Sequence, residues 1–139
     1  MQYGTVVQGR FLARPNRFIA LVEVDGAETV CHVKNTGRCR ELLRPGATVY
    51  LERSGNLLRK TAFDLIAVDK DGLLINMDAQ APNKVFGEFA RSFEPTTLDV
   101  KPEFVYGASR LDFCLTTPMG LHLVEVKGVT LEEDGHARF

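Results

Sequence analysis

Long apolar runs are missing from this chain. No stretch approaches the roughly 20 apolar residues that a helix needs to cross a bilayer. The opening MQYGTVVQGR has no charged segment followed by an apolar one, so neither a membrane span nor a secretory leader is expected. Cysteine is scarce. Cys31, Cys39 and Cys114 cannot all pair within one chain, which excludes a complete disulfide framework, and their spacing fits no common zinc pattern. Cys31-His32 with Cys39 lacks a fourth ligand at suitable spacing. Reduced thiols in a cytoplasmic protein are the simplest reading. Internal repeats and low-complexity tracts are absent. Neither sign of charge predominates, with 17 Lys and Arg against 18 Asp and Glu in 139 residues. That balance, with 45% apolar and 25% charged residues, argues against disorder, collagen and coiled coil. The chain is long enough to bury a real core without staples.

The even total hides an asymmetry. Residues 1–70 carry eleven basic and seven acidic residues, a surplus of +4, whereas residues 71–139 carry six and eleven, a deficit of −5. The basic half suits a polyanion. The acidic half suits a cation.

Short strands broken by turns are predicted for the first half. They cover Thr5 to Leu12, Phe18 to Val24, Thr29 to Val33, Thr48 to Glu52 and Leu58 to Val68. Asp25-Gly26 is a hairpin signal between the second and third. Thr36 is expected to cap a short helix running through Arg44 and stopped before Pro45-Gly46. Five strands with a small helix between the third and fourth point to a small closed barrel of the OB type. An SH3-like barrel or an open sheet is the alternative. The turn Asp69-Lys70-Asp71-Gly72 reads as a junction. Beyond it come an apolar Leu73 to Met77 and a helix over Asn83 to Phe93, with Val85, Phe86, Phe89, Ala90 and Phe93 at helical spacing. Strands follow at Glu103 to Tyr106, Arg110 to Leu115 and Leu121 to Val126. The last is apolar on both faces and reads as an interior strand. Such a strand needs more neighbours than this meander supplies, so the chain is expected to be the first part of a longer protein.

The chemistry-bearing segment is Ser109-Arg110-Leu111-Asp112-Phe113 followed by Leu123-Val124-Glu125-Val126-Lys127. Alternate strand residues share a face, so Glu125 and Lys127 point the same way. Asp112 comes beside Glu125 if the hairpin is in register. Two carboxylates on adjacent strands suit a divalent cation held by oxygen ligands. A lysine beside them can polarise a water or stabilise a developing oxyanion. The bland reading is a Glu–Lys pair on a solvated face. Glu103 is a candidate third carboxylate, or simply a solvated strand end. In the first half, Arg10, Arg14 and Arg17 lie around the early strands, and Lys34, Arg38, Arg40 and Arg44 cluster around Asn35-Thr36-Gly37. These form either one basic face for nucleic acid or an ordinary solvated surface. Phe11 and Phe18 are read as core residues.

At these residues the chain resembles the sugar fermentation stimulation protein A (SfsA) family. The resemblance is carried by Arg17-Phe18, by His32-Val33-Lys34-Asn35-Thr36-Gly37-Arg38, by Tyr106-Gly107-Ala108-Ser109-Arg110-Leu111-Asp112-Phe113 and by Glu125-Val126-Lys127-Gly128-Val129-Thr130-Leu131. It runs through the whole chain in order. It implies a cytoplasmic bacterial or archaeal protein with an N-terminal OB-like domain and a C-terminal domain related to the PD-(D/E)XK nucleases. It also implies DNA binding without marked sequence preference, and a regulatory role in sugar (maltose) metabolism. Asp112 matches the motif aspartate, and Glu125 and Lys127 match its Glu-x-Lys. Family members continue beyond the last residue of this chain.

The expectation is therefore an α+β chain. An OB-like DNA-binding barrel occupies 1–68, and the first part of a PD-(D/E)XK nuclease-like α/β domain occupies 69–139. Phosphate contacts are assigned to Arg14, Arg17, Lys34, Arg38 and Arg40. A catalytic set is assigned to Asp112, Glu125 and Lys127, with Mg²⁺ or Mn²⁺ on Asp112 and Glu125. DNA is the expected partner, no membrane is expected, and self-association into a homo-oligomer is expected. A Mg/Mn-dependent nuclease is the rival function, and a non-catalytic interaction domain is the third.

Overall fold

The computed structural model describes residues 1–139. They form two compact units, one of residues 2–79 with 129–139 and one of residues 80–128 with Met1.

In the first unit, β1 (Val6–Asn16), β2 (Ile19–Val24), β3 (Ala27–Val33), β4 (Thr48–Arg53) and β5 (Phe63–Lys70) lie in the order β3-β2-β1-β4-β5. β3 also pairs parallel to β5 through His32↔Asp64 and Val33↔Leu65, and that pairing closes a five-stranded OB barrel. Period-two alternation points Ala20 and Val22, Cys31 and Val33, and Val49 and Leu51 inward, where each is at most 1% exposed. Each buried Val or Leu of this kind contributes about 1.5–3 kcal/mol. β1 is long enough to pair with both β2 and β4, and register shifts at Phe11/Ala13 and Ala13/Asn16 bend it as bulges do. Gly9 allows that curvature, since a Cβ there would lie 2.5 Å from Val22 Cγ1 and 3.0 Å from the Glu23 carbonyl oxygen. The Asp25-Gly26 hairpin forms as the dipeptide indicates, with φ of 50° and 78°, the double positive φ of a type I′ turn.

Several expectations shift. The helix from Thr36 to Arg44 is a single turn, in which the Leu42 and Leu43 amides both donate to the Cys39 carbonyl. Leu42 and Leu43 are consecutive and both buried in the barrel core, whereas a helix would splay neighbours about 100° apart. β5 begins at Phe63, not Leu58. Side chains of Ser54 and Asn56 accept the Asn56 and Leu58 amides, holding a loop that leaves Leu58 95% exposed. Phe11 is in the core, but Phe18 is 53% exposed. It lies in the β1–β2 turn, where Asn16 Oδ1 accepts both the Phe18 and Ile19 amides. The Asp71-Gly72 turn is a hairpin, because β6 (Leu73–Asn76) pairs antiparallel with β5.

The second unit contains α1 (Ala81–Phe93), β7 (Asp99–Tyr106), β8 (Ser109–Thr117) and β9 (Gly120–Val124), the strands forming an antiparallel meander. Pro82 suits the first helical turn. Phe86 packs on Phe113 with ring centroids 5.1 Å apart. The interior strand is β8, with Phe113, Cys114 and Leu115 buried, whereas β9 is an edge whose Leu121 is 53% exposed. A three-stranded meander gives two neighbours only to its middle strand, so the apolar character of Leu121–Val124 does not make it interior here. In the first unit, a last hairpin pairs β10 (Leu131–Glu133) with β11 (His136–Arg138). Lys70 Nζ anchors it, donating to the Glu132 carbonyl at 2.5 Å and to Glu132 Oε2 at 2.6 Å. No helix is long and apolar enough to cross a membrane.

Candidate functional site

The basic residues of the barrel fall into two groups. Arg17, Arg38 and Arg40 are exposed and line a cleft of about 460 Å³ together with Arg14, Asn16, Thr36, Gly37 and Leu43. Ion pairs elsewhere engage Arg10, Lys34, Arg59, Lys70, Arg110, Lys127 and Arg138, and none engages Arg17, Arg38 or Arg40.

Arg14 has a different job. Its guanidinium donates to the carbonyls of Asn35 and Gly37 at 2.6 Å and of Arg17 and Arg38 at 2.7 Å. Those four carbonyls belong to the two turns that present the other arginines. Asn16 holds one turn through its Oδ1, and Asn35 Oδ1 holds the other by accepting the Gly37 amide at 2.8 Å. Arg14 therefore fastens the two walls of the cleft to each other through its two terminal nitrogens, while its buried Nε has no hydrogen-bond partner.

Lys34 points into a nest of carboxylates. It lies 3.3 Å from Asp64, 3.6 Å from Asp78 and 3.6 Å from Glu52. Arg59 donates to both Asp64 oxygens, at 2.6 and 3.0 Å, and His32 Nδ1 is 3.1 Å away. Tyr3 OH donates to Asp78 and accepts from Asn76. Burial works against charge on Asp64, but the hydrogen bonds and charges of Arg59 and Lys34 outweigh it and lower its pKa to about 2. Burial also opposes the Lys34 charge, and the carboxylates of Asp78, Asp64 and Glu52 more than offset it, so its pKa lies above the ordinary lysine value. Sequence reading misses this nest. Its one local signal is a lone aspartate inside the apolar run Phe63–Val68.

In the second unit the β8–β9 register pairs Phe113 with Val124, so Asp112 comes opposite Glu125, as the sequence predicts. Asp112 Oδ2 accepts the Val126 amide at 2.7 Å, and Oδ1 accepts from Asn83 Nδ2 of α1 at 2.7 Å. The Val126 amide is the main reason the Asp112 pKa is lowered; Asn83, the nearby Lys127 charge and contact with Glu125 add to it. Glu125 and Lys127 are ion-paired, and that hydrogen bond raises the lysine pKa. Glu103 does not join them, because its carboxylate pairs with Arg110 at 2.7 Å. Its backbone takes a φ of 53° in mid-strand, a strained conformation for a non-glycine residue. The structure thus brings Asp112, Glu125 and Lys127 together and adds Asn83, which no local pattern marks. No group of three or more His, Cys, Asp and Glu side chains is arranged to hold a metal ion.

Comparison with known proteins adds to this geometry. Residues 12–77 match the family model described as the SfsA N-terminal OB domain, and residues 80–139 match the sugar fermentation stimulation protein RE domain. A sugar fermentation stimulation protein homolog of Desulfitobacterium hafniense is 54% identical over 140 residues, covering 100% of this chain and 61% of its own. One from Clostridium beijerinckii is 51% identical over 142 residues, covering 100% of this chain and 62% of its own. The chain thus spans about three fifths of the length of these relatives. Among solved structures, Pyrococcus furiosus SfsA in complex with Ca²⁺ superposes with a TM-score of 0.83 at 28% identity, over 99% of this chain and 60% of that one.

Proposed function

The chain belongs to the sugar fermentation stimulation protein family, and from that premise we propose that its barrel binds DNA through the phosphate backbone, with little sequence preference, in a regulatory role in sugar (maltose) metabolism. The observation that carries this reading is the cleft on a closed OB barrel where Arg17, Arg38 and Arg40 stand exposed without a carboxylate partner. OB barrels use such positive grooves for nucleic acid. The barrel unit contains no helix that could enter a major groove, which fits weak sequence readout. Arg14 and Lys34 act behind this surface, one fastening the turns and the other neutralising buried carboxylates. The test is DNA affinity at several salt concentrations. The log–log slope should be about −0.7 to −0.9 per phosphate neutralised, and replacing Arg17 and Arg38 together with alanine should weaken binding uniformly across sequences. Unchanged affinity in that double variant would remove the cleft from the reading.

A second reading has its own observation, the convergence of Asp112, Glu125 and Lys127. It is a metal-dependent nuclease of PD-(D/E)XK type. The donor set fits a hard divalent cation: two carboxylates offer oxygen ligands, and Mg²⁺ is commonly held by only one or two, with water completing its shell. The Ca²⁺ complex of the Pyrococcus relative supports the same class of ion. Asp112 and Glu125 would hold Mg²⁺ or Mn²⁺, which would supply charge stabilisation at a phosphodiester and an acidified water. Asn83 and the Val126 amide orient Asp112, and Lys127 sits where it can stabilise a developing negative charge. Incubation with supercoiled plasmid in Mg²⁺, Mn²⁺ or chelator tests it, with nicking only in the metal arms as the expected result.

A further inference from the structure

The exposed position of Phe18 bears on which form of DNA the barrel takes. Phe18 follows Arg17 directly, its amide is held by cleft-lining Asn16 at 2.9 Å, and it is 53% exposed. Next to it in sequence, an aliphatic strip of Ile19, Leu21 and Val30 lies on the outer face of β2 and β3. Ala20, Val22, Cys31 and Val33 point inward, so their neighbours point out. The outward residues meet across β2 and β3 as Ile19↔His32 and Leu21↔Val30, with Val30 47% exposed. The strip ends where Glu23, paired with Arg10 at 3.2 Å, faces Glu28, and Glu28 with exposed Asp25 of the adjoining turn repels a phosphate backbone. One end of the strip is therefore basic and the other acidic.

We propose that this face takes an unpaired stretch of DNA, with phosphates on Arg17, Arg38 and Arg40 and a base stacked on the Phe18 ring. The proposal rests on the DNA-binding reading and adds the class of substrate to it. A duplex offers phosphates to the arginines but keeps its base faces stacked inside, so an exposed ring and aliphatic strip gain nothing from it. An unpaired strand offers both, and stacking on an aromatic ring tolerates every base. The charge pattern sets the position: the strand enters over the arginine cleft and leaves before Asp25 and Glu28.

The experiment is fluorescence anisotropy of the full chain with a fluorescein-labelled 15-nucleotide oligo-dT and with a duplex of equal length. Wild type, Phe18→Ala, Phe18→Tyr and the Arg17→Ala/Arg38→Ala double variant are compared. Wild type should bind the single strand more tightly. Phe18→Ala should lose about tenfold or more on the single strand and change little on the duplex, with its salt slope unchanged, because no phosphate contact is lost. Phe18→Tyr should keep wild-type affinity, since the ring is retained. Tighter binding to duplex, or an equal effect of Phe18→Ala on both probes, overturns the proposal while leaving DNA binding intact. If the arginine double variant also binds both probes like wild type, the cleft falls as the phosphate site; a wild type that binds neither probe overturns the DNA-binding reading itself.

Discussion

Asp64 offers a direct measure of how much the charged nest on the barrel contributes to stability. Its side chain is 5% exposed, with Arg59 at 2.6 Å and Lys34 at 3.3 Å. A carboxylate whose pKa falls from 3.8 to about 2 on folding contributes about 2 kcal/mol at neutral pH. Replacing it with asparagine keeps the shape and removes the charge. It also leaves Arg59 and Lys34 short of a partner, and breaking a buried pair from one side costs about 3–5 kcal/mol. Both cations are partly solvated, so Asp64→Asn should destabilise the protein by about 2–4 kcal/mol at pH 7. The sign with pH follows from the lowered pKa. The contribution is complete above the unfolded value of 3.8 and is lost as pH falls through about 2. Urea unfolding followed by circular dichroism, at pH 7 and pH 2.5, measures both variants. The part of the gap that comes from the charge should shrink to under about 1 kcal/mol at pH 2.5. A gap of the same size at both pH values would refute the electrostatic account and leave only packing. No gap at pH 7 would mean that burial of the carboxylate cancels its pairing.

Gly9→Ala forces a Cβ to within 2.5 Å of Val22 Cγ1 and should destabilise the barrel by about 1–3 kcal/mol, read as a lower urea midpoint. Phe11→Ala empties a site 2% exposed in the barrel core and should cost about 3–5 kcal/mol in the same assay. Arg14→Lys cannot reproduce four guanidinium bonds to backbone carbonyls and should weaken DNA binding severalfold while keeping the charge; wild-type affinity would show that the turns hold without the clamp. In a metal titration read by melting temperature, Mn²⁺ should stabilise the wild type and leave Asp112→Asn unmoved, with DNA affinity the same in both. A wild type indifferent to Mn²⁺ would make Asp112 and Glu125 structural residues.

Local chemistry in the sequence was enough for the elements and for one of the two sites. Alternation, the Asp25-Gly26 turn and the spacing of Phe86, Phe89 and Phe93 all act over a few residues, and they determined the hairpins and the helix. Asp112 and Glu125 were also legible, because consecutive strands joined by the tight turn at Thr117–Gly120 have a register that can be counted. Tertiary structure alone sorted the cations of the barrel. Arg14 meets carbonyls 21 to 24 residues away as well as one nearby, and Lys34 meets Glu52, Asp64 and Asp78. The Lys34 meetings exist because β3 closes on β5, and the Arg14 meetings because β2 brings the loop after β3 back to the end of β1; no short-range pattern encodes either. By composition Arg14, Arg17, Lys34, Arg38 and Arg40 are five equivalent positive charges. The folded barrel commits Arg14 and Lys34 to holding the protein together and leaves Arg17, Arg38 and Arg40 facing the solvent. Phe18 follows the same logic, since its alternation points to the core but the barrel wall ends before it, and only the folded chain shows where that wall stops.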